Sequence, residues 1–402
     1  MTEVFAYRHQ PTKALFLTYQ IFSTLFVRLP YWFLTSFPKS WRPRESWTVK
    51  RTVVMNVLRH LLYIQARVGP LQNTPNHTAI HEGPGVKAVW VEPVAAELIT
   101  GPIERWASVA NVKPCRLPGY WIDQAGADIP INQKPVPGEK VVYCLHGGGY
   151  TSLSAHPNDI TANIAHGIMQ HCKPIQRAFS IEYRLASTTP FAESGPFPTA
   201  IIDALAGYTY LVDTVGFAPT DIILEGDFAG GNLALALTRY LVEHAGHPGL
   251  PAPPGGLILL SPWSDIGTSH DGPTKSLDLL TMDYLGSLNS LRGLWSRVAY
   301  VGPHGLGAAL DNVYISPASL APGAAMARFT GFPKTFINVG GSERLYDMIM
   351  TLKKRMVRDM GEGKGDGQVT LYAAPDAVHD YVVLPWHEPE RTQTLQAIAE
   401  WL

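Results

Sequence analysis

Two glycine-rich stretches hold most of the chemistry that can be read in this 402-residue chain. The first, His146-Gly147-Gly148-Gly149, directly follows the apolar run VVYCL. Consecutive glycines after a buried strand let the backbone fold back closely and point successive N–H groups into one space, which is how an oxyanion hole is made. A plain glycine turn is the alternative. The second stretch, Gly226-Asp227-Phe228-Ala229-Gly230-Gly231, has the small-residue frame of a G-x-S-x-G elbow, in which a sharp strand-to-helix turn holds up a nucleophilic serine. Its centre is Phe228, whose phenyl ring can neither be deprotonated nor attack a carbonyl. The turn is there and the nucleophile is not.

An elbow needs a strand before it and a helix after it, and the sequence offers both: DIILEGD precedes the centre and NLALALTRYLVEH follows. From Val86 onward eight β-rich runs (VKAVWVEP, RLPGYWID, VVYCLH, AFSIEYRL, DIILEGD, GLILLSPW, TFINVGG and VTLYAAP) mostly alternate with helical patterns. Helices are expected at Pro157 to Cys172, Pro198 to Val212, Asn232 to His244, Arg344 to Met360 and Thr392 to Leu402. The alternation predicts an α/β fold with an eight-stranded, mostly parallel sheet, helices on both faces and a helical cap. Residues 1–80 read as helices, with Val54, Leu58, Leu61 and Ile64 at helical spacing in Thr52 to Arg67. Residues 265–303 lack a strand and read as a second cap piece inserted into a core of 81–264 and 304–402. Within that insertion Tyr284, Leu285 and Trp295 are candidates for an apolar pocket, with core packing as the alternative.

Composition narrows the partners. Lys+Arg is 32 against Asp+Glu 33 with no long run of one sign, so no electrostatic nucleic-acid or membrane footprint is expected, and the expected partner is small and not highly charged. Charged residues are only 16% of the chain and aromatics 10%, which suits an apolar small-molecule ligand. Cys115, Cys144 and Cys172 form an odd, unpaired set, so the expected compartment is the reducing cytoplasm. The segment Ala14 to Val27 is too short to span a bilayer. It reads as an amphipathic helix whose Leu17, Ile21, Phe22, Leu25 and Phe26 dock on the body of the protein, with membrane-surface contact through residues 14–27 as the second reading. No metal is expected, because His166 and His171 do not converge and no carboxylate completes them. No cofactor is expected either, since the triple glycine lacks the spacing of a dinucleotide or P-loop fingerprint.

The HGGG loop and the GDFAGG turn together resemble the hormone-sensitive-lipase-type branch of the α/β-hydrolase fold, whose members pair an HGGG loop with a GDSAGG elbow. Tyr183-Arg184-Leu185-Ala186, Pro196-Phe197-Pro198 with Ala200 and Asp203, and Ser261-Pro262-Trp263 resemble further family segments in the family's order. The match spans about Val141 to the C-terminus, and the helical N-terminus resembles fungal members. The resemblance implies that the N–H groups of Gly148, Gly149 and Ala229 form the oxyanion hole and that Phe228 replaces the catalytic serine. It also implies Glu343, just past TFINV, as the triad acid and His379, past VTLYAAP, as the triad base. Asp347, Asp376 and Asp380 are nearby competitors for the acid. Tyr150, Asp227 and Trp263 are expected to line the substrate pocket with Phe228.

Three functions fit a triad without its serine. In the first, the protein has left hydrolysis, and His379, oriented by Glu343, moves protons while the oxyanion hole stabilises an enolate-like anion in an elimination, isomerisation or cyclisation. Family relatives resembling this case include plant carboxylesterase-like dehydratases and cyclases, and the fungal resemblance suggests secondary metabolism. In the second, it is a hydrolase inactivated at position 228. In the third, it is a small-molecule binding protein, as the gibberellin receptors on this fold are. Ser152, Ser154 and Cys144 are available hydroxyls and a thiol, but none lies on an elbow.

Overall fold

The computed structural model describes residues 4–71, 73–272 and 278–402. Eight strands form one sheet: β1 (Lys87–Val91), β2 (Leu117–Asp123), β3 (Lys140–Leu145), β4 (Ile175–Ile181), β5 (Ile222–Asp227), β6 (Gly256–Leu260), β7 (Thr335–Gly340) and β8 (Val369–Ala374). Their order is β1-β2-β4-β3-β5-β6-β7-β8. The β1–β2 and β2–β4 pairs are antiparallel and every other pair is parallel. The central strands β5, β6 and β7 are buried throughout, as expected where helices cover both faces of a parallel sheet and the strands read as continuous apolar runs.

Alternation along β3 shows how the core divides. Val141, Tyr143 and Leu145 enter one apolar cluster, and Val142 and Cys144 enter the other. The first cluster includes side chains of α4 (Gly101–Val109), α6 (Thr199–Thr209) and α7 (Ala229–Glu243). The second includes side chains of α5 (Ala162–His171) and of the C-terminal helix Glu390–Trp401. The C-terminal ends of β3, β5, β7 and β8 open into the HGGG loop, the elbow, the Glu343 loop and the His379 loop. All four motif-bearing loops therefore lie on the sheet edge where open α/β sheets bind ligands.

The N-terminal helices are α1 (Thr12–Ser23), α2 (Leu29–Thr35) and α3 (Val49–Val68), with one π-helical turn at Thr24–Arg28 joining the first two. The predicted orientation of the first helix is inverted. Ile21, Phe22, Leu25 and Phe26, expected to dock on the body, are exposed, whereas Gln20 is buried. The protein packs the polar side of this helix inward and leaves the apolar side in solvent. Residues 265–303 contain a 3₁₀ turn at Leu279–Thr281 and the helix Leu291–Val301, with residues 273–277 of that predicted insertion outside the described residues.

Candidate active site

The elbow holds a strained backbone. Phe228 sits at φ 47° and ψ −107°, an unfavourable region for any residue with a Cβ, between the end of β5 and the first turn of α7. Two backbone bonds pin it: its N–H donates to the Leu260 carbonyl (3.0 Å), and its own carbonyl accepts from the Trp263 N–H (2.8 Å). Small residues are obligatory around it. A Cβ on Gly226 would strike the Gly230 backbone, and one on Gly230 would strike the Leu145 carbonyl oxygen at the end of β3. Gly148 has φ 94°, and a Cβ there would meet the Ser152 carbonyl. None of the N–H groups of Gly148, Gly149 and Ala229 donates to an acceptor among the described residues, so all three are available to an anionic oxygen.

The Phe228 ring closes the space a nucleophile would command. It stacks on Trp263 (centroids 4.9 Å apart, 16° between planes), and a Cβ placed on Gly149 would lie 3.5 Å from its edge. On its other side the ring meets the His379 imidazole edge-on at 4.7 Å.

His379 lies between two carboxylates. Its Nε2 is 3.1 Å from Asp380 Oδ2, and its Nδ1 is 3.8 Å from Glu343 Oε1, an ion-pair separation too long for a hydrogen bond. Burial pushes the imidazole pKa down, but Asp380, and after it Glu343, outweigh that and hold His379 well above the ordinary histidine range. Both carboxylates therefore favour the protonated imidazole. Glu343 is itself fixed, because its Oε2 accepts from the Gly340 N–H (2.6 Å) and from Ser261 Oγ (2.7 Å). Ser261, at φ 43°, also accepts the Asp380 N–H at 3.2 Å, so one hydroxyl links the two carboxylate-bearing loops. Burial pushes the Asp380 carboxyl up, partly offset by His379.

These loops match known proteins. The family described as alpha/beta hydrolase fold matches residues 141–383, more than half of the chain and all four loops. The chain belongs to the alpha/beta hydrolase fold family. An esterase of Acinetobacter venetianus is 26% identical over 72% of this chain and 81% of its own length. Esterase LipU of Mycobacterium tuberculosis is 25% identical over 65% of this chain and 77% of its own length. Among solved structures, an esterase from the bacterial hormone-sensitive lipase family superposes with a TM-score of 0.58 at 22% identity, covering 89% of this chain and 98% of that one.

In this member of the alpha/beta hydrolase fold family the sequence-derived site residues divide into three groups. Gly148, Gly149, Ala229, Phe228, Trp263, Glu343 and His379 converge, and Tyr284 joins them with its ring 5.9 Å from that of His379. Asp227 and Tyr150 are engaged by the protein itself. Asp227 Oδ1 accepts the Gly147 N–H at 2.9 Å and clamps the glycine loop to the elbow. Tyr150 is buried, stacked on Tyr300 at 3.9 Å, and donates to Asn232 Oδ1 at 2.7 Å. Leu285 packs against the main apolar cluster. Trp295 lies with Val4 and Phe5 in a separate small cluster and donates to the Thr189 carbonyl (2.9 Å), because the helix Leu291–Val301 turns that face toward the N-terminus. Two contributors were not anticipated. Asp380, weighed only as a rival for Glu343, takes the opposite nitrogen of His379. Asp283 receives the backbone N–H of Arg344 (2.6 Å) and, more loosely, of His379 (3.4 Å), tying the acid and histidine loops to the insertion. Only the adjacency of Asp380 to His379 in sequence could have signalled the first, and nothing local signals the second.

Proposed function

We propose that the protein is a non-hydrolytic enzyme in which Phe228 occupies the nucleophile's position and a His379–Asp380 pair moves protons on an apolar carbonyl compound. Elimination, isomerisation and cyclisation are the reactions within its reach, and the resemblance to fungal members makes a secondary metabolite the natural substrate class. The observation that carries this reading is the 3.1 Å separation between Asp380 Oδ2 and His379 Nε2 beside a ring that cannot form an ester. A triad histidine must accept a proton from its serine, whereas Asp380 favours the protonated form of this imidazole, which suits it to give a proton up. Loss of a serine nucleophile removes about 10⁶ in turnover from hydrolases of this type, so ordinary esterase activity is not expected.

Elimination from a β-hydroxy ketone illustrates the balance. The carbonyl oxygen accepts from the N–H groups of Gly148, Gly149 and Ala229, which stabilise the enolate oxygen as charge develops. The Asp380 carboxylate takes the α-proton, and the His379 Nε2–H protonates the departing hydroxyl, which leaves as water. The proton on Asp380 then crosses to His379 and restores the pair. Phe228 and Trp263 form an apolar wall for the substrate. The test is dehydration of 4-hydroxy-4-phenyl-2-butanone, followed by the ultraviolet absorbance of the conjugated ketone. We expect conversion by the wild type, and a loss of at least about 10²-fold in His379→Gln and Asp380→Asn, the usual range for removing an acid or base. Undiminished conversion by folded His379→Gln would falsify the reading, and absence of product from the wild type excludes elimination of such ketones.

A further inference from the structure

The outer face of the N-terminal helices is apolar and exposed among the described residues. Leu15, Tyr19, Phe22 and Phe26 follow one another at steps of four, three and four along α1 and the π turn, and Phe33 and Phe37 continue the stripe along and beyond α2. All six are exposed, Phe26 at 71%. An aromatic side chain has 150–250 Å² to bury, so each leaves on the order of 100 Å² in water. The stripe therefore exceeds the few hundred Å² that monomeric soluble proteins usually expose.

Charge indicates what covers it. Residues 1–81 hold ten Lys and Arg against two acids, Glu3 and Glu45, in a chain that totals 32 against 33, so the positive charge is concentrated in this unit. Lys39 and Lys50 are exposed beyond the end of the stripe, and Trp41, also exposed, lies between them in sequence. A second copy of the chain would bring like charge against like. An anionic lipid surface satisfies the apolar stripe and the basic residues together, with Tyr and Trp suited to the headgroup level. No helix among the described residues is long and apolar enough to cross a membrane, which leaves an orientation in the plane of the interface.

The same unit is bolted to the catalytic edge. Arg44 donates to Ser342 Oγ (3.0 Å) and to the Gly341 carbonyl (3.2 Å), Trp47 to the Asp376 carbonyl (2.9 Å), and Arg59 to the carbonyls of Thr281 (2.8 Å) and Asp283 (3.0 Å). These acceptors flank Glu343 and His379 and include the Asp283 that steadies both loops. We propose that residues 12–41 dock on an anionic lipid surface and hold the catalytic edge of the sheet beside it. The proposal stands independently of the reaction catalysed.

Flotation of the full-length protein with lipid vesicles tests it. The wild type is expected to float with vesicles of phosphatidylcholine mixed with phosphatidylserine and to float less with phosphatidylcholine alone. Added salt should weaken the former. Phe22→Asp/Phe26→Asp should abolish flotation with unchanged thermal unfolding, because both side chains are in solvent. Lys39→Glu and Lys50→Glu should each weaken binding to the mixed vesicles by about fivefold or more. Wild-type protein left at the bottom of both gradients overturns the proposal, as does flotation that survives Phe22→Asp/Phe26→Asp. Elution of the wild type as a dimer that the double variant dissociates, without flotation, overturns it in favour of self-association.

Discussion

At position 228 the proposed function turns on one side chain, because a phenyl ring offers no nucleophile to an ester. The elbow around it holds the φ and ψ of a strained turn, the three N–H groups are unengaged, and the imidazole edge meets the ring directly. Serine at 228 would therefore find three unengaged N–H groups, but also a histidine whose protonated form its neighbours favour. Asp380 is the largest influence holding that proton, ahead of Glu343. Phe228→Ser is accordingly expected to hydrolyse p-nitrophenyl butyrate from a near-zero background only as pH rises well above the ordinary histidine range, where the neutral imidazole appears. Adding Asp380→Asn removes the main charge favouring the imidazolium and should move the rise in rate to lower pH. The pH–rate profiles of the two variants check this: coincident profiles would show that Asp380 does not govern His379, and no hydrolysis by either folded variant would show that the loops are not poised for acyl transfer.

At the scale of elements, the glycines of the elbow fix how closely α7 approaches β3. Gly230→Ala forces a methyl group into the Leu145 carbonyl and should destabilise the protein by about 1–3 kcal/mol, as overpacking does. Gly307→Ala, in a helix where a Cβ meets nothing within 4 Å, should stabilise by about 0.5–1 kcal/mol. Denaturant midpoints of the two variants read these opposite signs, and equal shifts would contradict the packing argument. The strands and the five helices read after Val86 were legible for the same reason that Gly230 is intolerant, whereas the helix Gly101–Val109 was not read. A buried parallel sheet demands unbroken apolar runs, as in β5 and β6, and its turns demand particular small residues. The histidine and acid loops were legible through strand order. What failed was direction. Periodicity marks the apolar side of α1 and of the helix bearing Trp295, but it does not say whether protein or solvent lies opposite, and so Phe22 and Phe26 face outward and Trp295 packs on Phe5. Asp283 was illegible as a site residue because its partners come from loops brought together only by the tertiary fold, and Asp380 because adjacency in sequence does not say which nitrogen of His379 it reaches.

The whole molecule carries an unusual load of buried acids whose protonation sets its stability. Burial pushes Glu182 and Glu225 from 4.5 up to about 8 and holds Asp227 higher still than its ordinary range. A carboxyl with a raised folded pKa binds more protons in the folded state than in the unfolded one, so stability falls as pH rises between the two values, by about 1.4 kcal/mol per group and pH unit. His379 adds to this. Its folded pKa is raised, so its contribution is full below 6.5 and is lost as pH climbs through the folded value. His146 opposes: burial lowers it to about 4, so between 4 and 6.5 the unfolded state binds the extra proton and stability rises with pH. Toward acid, Glu390, held near 2 by His387 and Arg51 against the effect of burial, loses its contribution as pH falls. These signs place maximum stability near pH 4–4.5: the three acids outweigh His146 up to 6.5, so stability already falls there, and it declines by a few kcal/mol more from 6.5 to 8, where the acids and His379 act together and His146 no longer opposes. Unfolding free energies from denaturant titrations across that range provide the measurement. Stability that is flat or rising from pH 6.5 to 8 would mean that these acids are ionised in the folded protein, and Glu225→Gln, which cannot ionise, should flatten part of the decline if they are not.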